Sequence, residues 1–236
     1  MNRVEYALAH ATETKALRIG AGILPQTGEL FKELFPGCRA IVIADPTTFK
    51  VAGSDVQKSL AAAGVALDIF TAPDLHAEWT FVEELDAVLK NTDAIPVAVD
   101  SGTINDLTKL CSHHNNRRYM VVGTAASMDG YTSYGASITY KCAKQTFSCP
   151  APLGVLADTA IIAAAPKELT ASGYADLFAK VPAGADWIIS DALGIEPLDK
   201  RSFSIVQDGL HDALGDPEGI RKGTVETIEP LVEGLM

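Results

Sequence analysis

Short apolar runs alternate with helical patterns through the first two thirds of the chain. Leu17–Gly20 reads as a brief strand that feeds a Gly-Ala-Gly turn and a helix near Leu24–Leu34. Arg39–Asp45 (RAIVIAD) reads as a buried strand followed by a helix to about Ala63, which Gly64 ends. Val65–Phe70 is a third strand. Glu78–Leu89 is an amphipathic helix with Phe81, Leu85, Val88 and Leu89 on one face, and Ala94–Val99 is a fourth strand. Tyr119–Gly123 makes a fifth, the polar stretch Ser137–Phe147 suggests a β-hairpin, and Val155–Asp158 is one more strand. Strands and helices alternating through short links predict a parallel sheet covered on both faces. From Thr159 onward the pattern is helical only, over Ile161–Ala165, Tyr174–Ile189, Ser202–Leu214 and Gly219–Met236. The expected fold class is α/β, with an N-terminal Rossmann-like parallel-sheet domain over residues 1–160 and an all-helical domain over 161–236.

The last of those segments carries Val225, Ile228, Leu231, Val232, Leu235 and Met236 at three- and four-residue spacings, an apolar stripe on one helix face. It passes Pro230 only with a kink or a restart, and no Gly, Asn or basic stop signal follows. The stripe, and the crevice-facing side of Tyr174–Ile189, are expected to lack cover and to make the chain self-associate or bind a hydrophobic dye.

Composition narrows the function. The 236 residues are 47% hydrophobic and 21% charged, which suits an enzyme able to bury a core. A net charge of −11, with no basic run longer than Arg117-Arg118, argues against nucleic acid and anionic lipid as partners. No apolar run approaches the roughly 18 residues of a membrane span. The start MNRVEYALAH lacks the apolar core of a signal peptide, so a cytoplasmic location without membrane insertion is expected. Cys38, Cys111, Cys142 and Cys149 show no CxxC or CxxH spacing and read as reduced packing residues.

Candidate chemistry concentrates in Val97–Ser133: a strand, a Ser-Gly turn opening a helix, a second strand, then a loop of small hydroxylic residues around Asp129. In open α/β sheets, ligands bind outside the carboxyl ends of such strands. Ser101-Gly102-Thr103 offers either a helix N-terminus suited to a pyrophosphate or a plain βα turn with Thr103 as its N-cap. Asp106 and Lys109 read as an ordinary solvated i,i+3 pair. Thr124, Ser127, Thr132 and Ser133 are dense enough to solvate a ligand or one another. Asp45, ending the second strand, fits either a ribose-binding acid or a turn acid. His113-His114 reads as a solvated helix end and His211 as a half-exposed helix residue.

SGTINDLTK, GTAASMDGYTSYGASI and GVLADTAII with AAPKELTASGYADLFAK together resemble, over almost the whole chain and in the same order, the sn-glycerol-1-phosphate dehydrogenase family. That family is a branch of the iron-containing alcohol dehydrogenase and dehydroquinate synthase superfamily. The resemblance implies a nucleotide-binding α/β domain, a helical domain, and a metal-dependent, NAD- or NADP-linked interconversion of dihydroxyacetone phosphate and glycerol 1-phosphate by a homo-oligomer. It places the pyrophosphate loop on Ser101, Gly102, Thr103, Ile104 and Asn105. A second cofactor contact falls on Thr124, Ala125, Ala126 and Ser127 with Ser133 nearby, and Asp45 is a candidate for the adenosine ribose. Asp129 matches a substrate-contacting acid, and Asp176 matches the acid that both ligates a catalytic zinc, or another divalent metal, and touches substrate.

Two positions depart from the family pattern, which has Gly where this chain has Asp100 and Gly where it has Ala175. A carboxylate about 5 Å from a pyrophosphate, at an effective dielectric of about 20, costs on the order of 3 kcal/mol. The family's two zinc-ligating histidines would fall beyond Met236. The helical domain is therefore expected to be partial, the metal weakly bound, and the chain inactive alone. Glycerol dehydrogenase, a dehydroquinate synthase-like enzyme and a non-catalytic nucleotide-binding module are the alternatives.

Overall fold

A computed structural model of the chain describes residues 3–236. Six short strands form one wholly parallel sheet: β1 (Ala16–Gly20), β2 (Ala40–Ala44), β3 (Leu67–Thr71), β4 (Ile95–Asp100), β5 (Met120–Gly123) and, after a hairpin of β6 (Ala136–Tyr140) and β7 (Ala143–Phe147), β8 (Gly154–Asp158). Their spatial order is β1-β8-β5-β4-β2-β3. Every strand expected from the apolar pattern is present, and the β6–β7 hairpin is antiparallel.

Side-chain alternation along the strands builds two layers. Ile41, Ile43, Ala98, Val121 and Val155 face the helices Trp79–Lys90 and Thr103–His114, while Val42, Val97, Val99, Met120, Val122 and Leu156 face Thr27–Leu34 and Ser54–Ala62. Burial on both faces is why the central strands read as continuous apolar runs.

Beyond β8 the chain is helical: Thr159–Ala163, Lys167–Phe178, Lys180–Ala192, Lys200–Gln207, Leu210–Leu214, Pro217–Lys222 and Val225–Leu235. The segment expected as one helix over Tyr174–Ile189 is two, and Pro182 falls in the first turn of the second, where a missing N–H removes no intrahelical bond. The closing helix runs through Pro230. A further helix, Arg3–His10, carries no residue singled out from sequence.

One expectation is overturned. The apolar stripe of Val225–Leu235 is covered within the chain: Ile228, Leu231 and Val232 are fully buried, and they pack with Ile162, Leu177, Leu210, Ala213 and Ile220. The short helices over 159–222 supply the cover, so the stripe gives no ground for self-association. Exposed apolar residues do gather on and after the Lys180–Ala192 helix, with Ile189, at the end of the segment expected to lack cover, at 57% and Ile195 at 74% exposure.

Candidate functional site

The chain passes from β2 to β3 toward one edge of the sheet and from β4 through β5 to β8 toward the other. The neighbours β2 and β4 therefore send their following helices to opposite faces, which makes their carboxyl ends the switch point, the place where open α/β sheets take ligands. Asp45 and Asp100 stand at those two ends.

Asp45 caps the turn that follows it, with one carboxylate oxygen accepting from the amides of Thr47 and Thr48 at 2.7 Å each. That is the turn-acid geometry; the second oxygen takes no part in this cap.

At the end of β4, Gly102 rather than Thr103 occupies the N-cap position of the Thr103–His114 helix, at φ +148°, a backbone conformation that suits glycine. The capping group is the side chain of Asp100. Its Oδ2 accepts from the Gly102 amide at 2.5 Å and from the Asn105 amide at 2.9 Å. Asp100 is only 2% exposed, and burial pushes its carboxyl up to about 6 against the pull of these backbone donors. Ser101, Gly102 and Thr103 are half-buried, whereas Ile104 and Asn105 are buried. The Asn105 side chain is spent internally, accepting from the Tyr119 hydroxyl at 2.9 Å and donating to the Gly130 carbonyl at 3.3 Å.

The second expected cofactor segment, Thr124–Ser127, is buried under the Lys167–Phe178 helix. A Cβ on Gly173 would lie 2.1 Å from the Ala126 carbonyl oxygen, so glycine permits this approach. Ser127 donates to the Ser101 carbonyl, linking the two segments.

The hydroxylic loop brings the two matched acids together. The Asp129 amide donates to Asp176 Oδ2 at 2.8 Å, while the Asp129 carboxylate pairs with Lys180, one helical turn beyond Asp176. Asp129, Thr132, Ser133 and Lys180 share the wall of a cleft of about 470 Å³ with Leu235 and Met236. Ser133 Oγ donates to the Gly130 carbonyl at 3.2 Å and Thr132 to the Met236 carbonyl.

Lys109 corrects the expectation of a solvated pair. Its side chain is fully buried, 3.9 Å from Asp106, and donates to the carbonyls of Gly130 at 2.9 Å, Ser133 at 2.9 Å and Gly135 at 3.0 Å. Burial lowers the lysine's affinity for its proton and raises that of Asp106. Lys109 and Lys180 had no role assigned from sequence, although both lie in the quoted motifs. The helix that carries Lys109 is buried almost continuously from Ile104 to Ser112.

Asp176 belongs to no three-ligand cluster among the described residues. Among the described residues no group of three His, Cys, Asp or Glu side chains converges to hold a metal. The His211 side chain is 98% exposed, more than the half-exposure expected, and His114 pairs with Asp86 at 2.8 Å. A catalytic zinc-type site needs three protein ligands and an open position. The described residues do not fit one.

A parallel sheet with a switch point between β2 and β4, a glycine-bearing helix start and an acid on the loop after β5 paired with a lysine defines an open α/β protein. The sequence profile described as iron-containing alcohol dehydrogenase matches residues 18–166, and the chain belongs to that family. It is 31% identical to the glycerol-1-phosphate dehydrogenase [NAD(P)+] of Bacillus velezensis, covering 88% of this chain and 55% of that protein. Its identity to the protein of the same name from Pyrococcus abyssi is 27%, covering 92% and 62%. Among solved structures, a probable glycerol dehydrogenase from Sinorhizobium meliloti superposes with a TM-score of 0.78 at 21% identity, covering 94% of this chain and 63% of that one. The iron-containing alcohol dehydrogenase of Thermotoga maritima gives 0.74 at 17%, covering 94% and 66%. The chain thus spans about three fifths of the length of these relatives. No helix among the described residues is long and apolar enough to cross a membrane.

Proposed function

We propose that this chain carries the nucleotide crevice and part of the substrate wall of an NAD(P)-linked dehydrogenase acting on dihydroxyacetone phosphate and sn-glycerol 1-phosphate. The observation that carries the reading is the contact of Asp129 with Asp176 and Lys180 at the sheet's carboxyl edge, in a chain 31% identical to a protein named for that reaction. On this reading residues 1–160 hold the nucleotide and 161–236 the substrate wall, in a cytoplasmic homo-oligomer. Ser101–Asn105, with Thr124–Ser127 and Ser133, serve the cofactor, and Asp45 offers the adenosine ribose the carboxylate oxygen that its turn cap leaves unused. Asp129 orients the substrate hydroxyls, Asp176 fixes the Asp129 backbone and is the acid available to a divalent metal such as zinc, and Lys180 offers the cation a phosphate needs. The nicotinamide, when bound, supplies or accepts the hydride.

A second reading, a non-catalytic nucleotide-binding module, is favoured by the absence of a three-ligand cluster among the described residues. Nicotinamide absorbance with dihydroxyacetone phosphate, dihydroxyacetone or glycerol, with and without added Fe²⁺ or Zn²⁺, separates the two. Turnover confined to the phosphorylated substrate supports the dehydrogenase. Nucleotide binding without turnover supports the module.

A further inference from the structure

We infer that Asp100 is a resident anion seated where the crevice would take a nucleotide's pyrophosphate, so that the nucleotide gains the helix-start amides only when this carboxylate is neutralised or withdrawn. The inference rests on the nucleotide reading above and adds to it a built-in competitor.

The geometry is specific. At the switch point, the amides opening the Thr103–His114 helix are the donors a pyrophosphate would use. Two of them, from Gly102 and Asn105, already converge on Asp100 Oδ2, and those of Ser101 and Ile104 also steady the carboxylate. The Asp100 backbone cannot carry the side chain away. It pairs with Gly123 of β5, and its carbonyl accepts from the Thr124 amide at 2.8 Å and lies 3.1 Å from the Tyr131 hydroxyl. Release therefore needs rotation of a buried side chain or loss of its charge.

The ionisable groups packed around this corner leave the carboxylate to titrate on its own. On the loop, Asp129 is paired with Lys180, and burial together with the Asp100 charge holds the Tyr131 hydroxyl far above its ordinary range, so it stays neutral. On the helix, Asp106 and Lys109 lie 3.9 Å apart and offset each other. With burial pushing Asp100 up to about 6, about half of the molecules carry the neutral form at that pH, about a tenth at pH 7 and about a hundredth at pH 8. If only the neutral form admits the pyrophosphate, affinity at pH 8 is about 50-fold weaker than at pH 6.

The test is NADH binding to the full chain by fluorescence between pH 5.5 and 8, for the wild type, Asp100→Asn and Asp100→Gly. NADH is chosen because its pyrophosphate does not titrate in this range. Support is a wild-type affinity that falls as pH rises, a flat profile for Asp100→Asn, and tighter binding by Asp100→Gly at pH 8. Equal affinities across the three proteins, or a flat wild-type profile, overturn the inference and leave nucleotide binding intact. Failure of Asp100→Gly to bind at any pH, while remaining folded by circular dichroism, overturns the nucleotide reading and the competitor with it. A ligand-free check is the pH dependence of the Gly102 and Asn105 amide shifts: a shared midpoint near 6 that vanishes in Asp100→Asn supports the seated carboxylate, and its absence in the wild type overturns it.

Discussion

The Lys109 ammonium donates to the Gly130 carbonyl at 2.9 Å, which ties the core-facing side of a helix to the loop that carries Asp129. With the carbonyls of Ser133 and Gly135 also held, one buried cation gathers three acceptors from six consecutive residues. Replacing it by Met takes this donor from the Ser133 and Gly135 carbonyls and the counter-charge from the half-buried Asp106 carboxylate, while Gly130 keeps Asn105 and Ser133 as donors. Breaking a buried charge pair by removing one member costs about 3–5 kcal/mol. Lys109→Met is expected to lose stability of that order in urea unfolding and to speed hydrogen exchange in residues 129–135. A loss under 1 kcal/mol with unchanged exchange would mean the loop is fixed by other contacts.

What was legible in the sequence follows from how local the cause is. β2 and β4 announce themselves because strands buried on both faces need apolar residues at nearly every position, as RAIVIAD and PVAV show. Lys109 was not legible, because the i,i+3 rule that pairs it with Asp106 assumes solvent. The acceptors that bury it lie 21 to 26 residues further along. The pairing of Asp129 with Lys180 spans 51 residues and depends on how the Lys167–Phe178 and Lys180–Ala192 helices meet the sheet. The resemblance supplied the acids, but their mutual contact is a tertiary fact.

Asp100 makes stability depend on pH in a direction opposite to that of most carboxylates. Its folded-state value of about 6 lies above the ordinary 3.8, so the folded chain binds more protons than the unfolded chain between these values. Stability therefore falls as pH rises from about 4, and the loss is complete somewhat above 6, amounting to about 3 kcal/mol. Asp100→Asn removes this dependence. Urea midpoints at pH 4.5 and 7.5 are expected to show the wild type losing ground to the variant at the higher pH. Parallel behaviour of the two proteins would show that the carboxyl titrates in its ordinary range.

At the matched metal acid, the expected outcome is weak binding. Asp176 spends one oxygen on the Asp129 amide and has no converging pair of further ligands among the described residues. A metal held by one carboxylate keeps most of its water shell. Calorimetry with Zn²⁺ or Fe²⁺ is expected to give no tight one-to-one isotherm. Asp176→Ala should cost about 1 kcal/mol through the lost backbone bond. Tight stoichiometric binding abolished by Asp176→Ala would sink this expectation.

Two apolar helix faces that look alike in sequence have opposite surroundings, and substitution separates them. Leu231 is fully buried among Leu177, Leu210 and Ile228, where truncation leaves a cavity. Leu231→Ala is expected to cost about 2–5 kcal/mol. Ile189 and Ile195, at 57% and 74% exposure, have little packing to lose. Ile189→Glu with Ile195→Glu should change stability by no more than about 0.5 kcal/mol for each site. The same pair should lower the binding of a hydrophobic dye, because these residues and Ile188, Leu193 and Phe178 form the exposed apolar surface of that region. Urea unfolding and dye fluorescence on the same three proteins decide the matter: a stable Leu231→Ala, or a strongly destabilised double variant, would mean the two faces have been assigned the wrong way round.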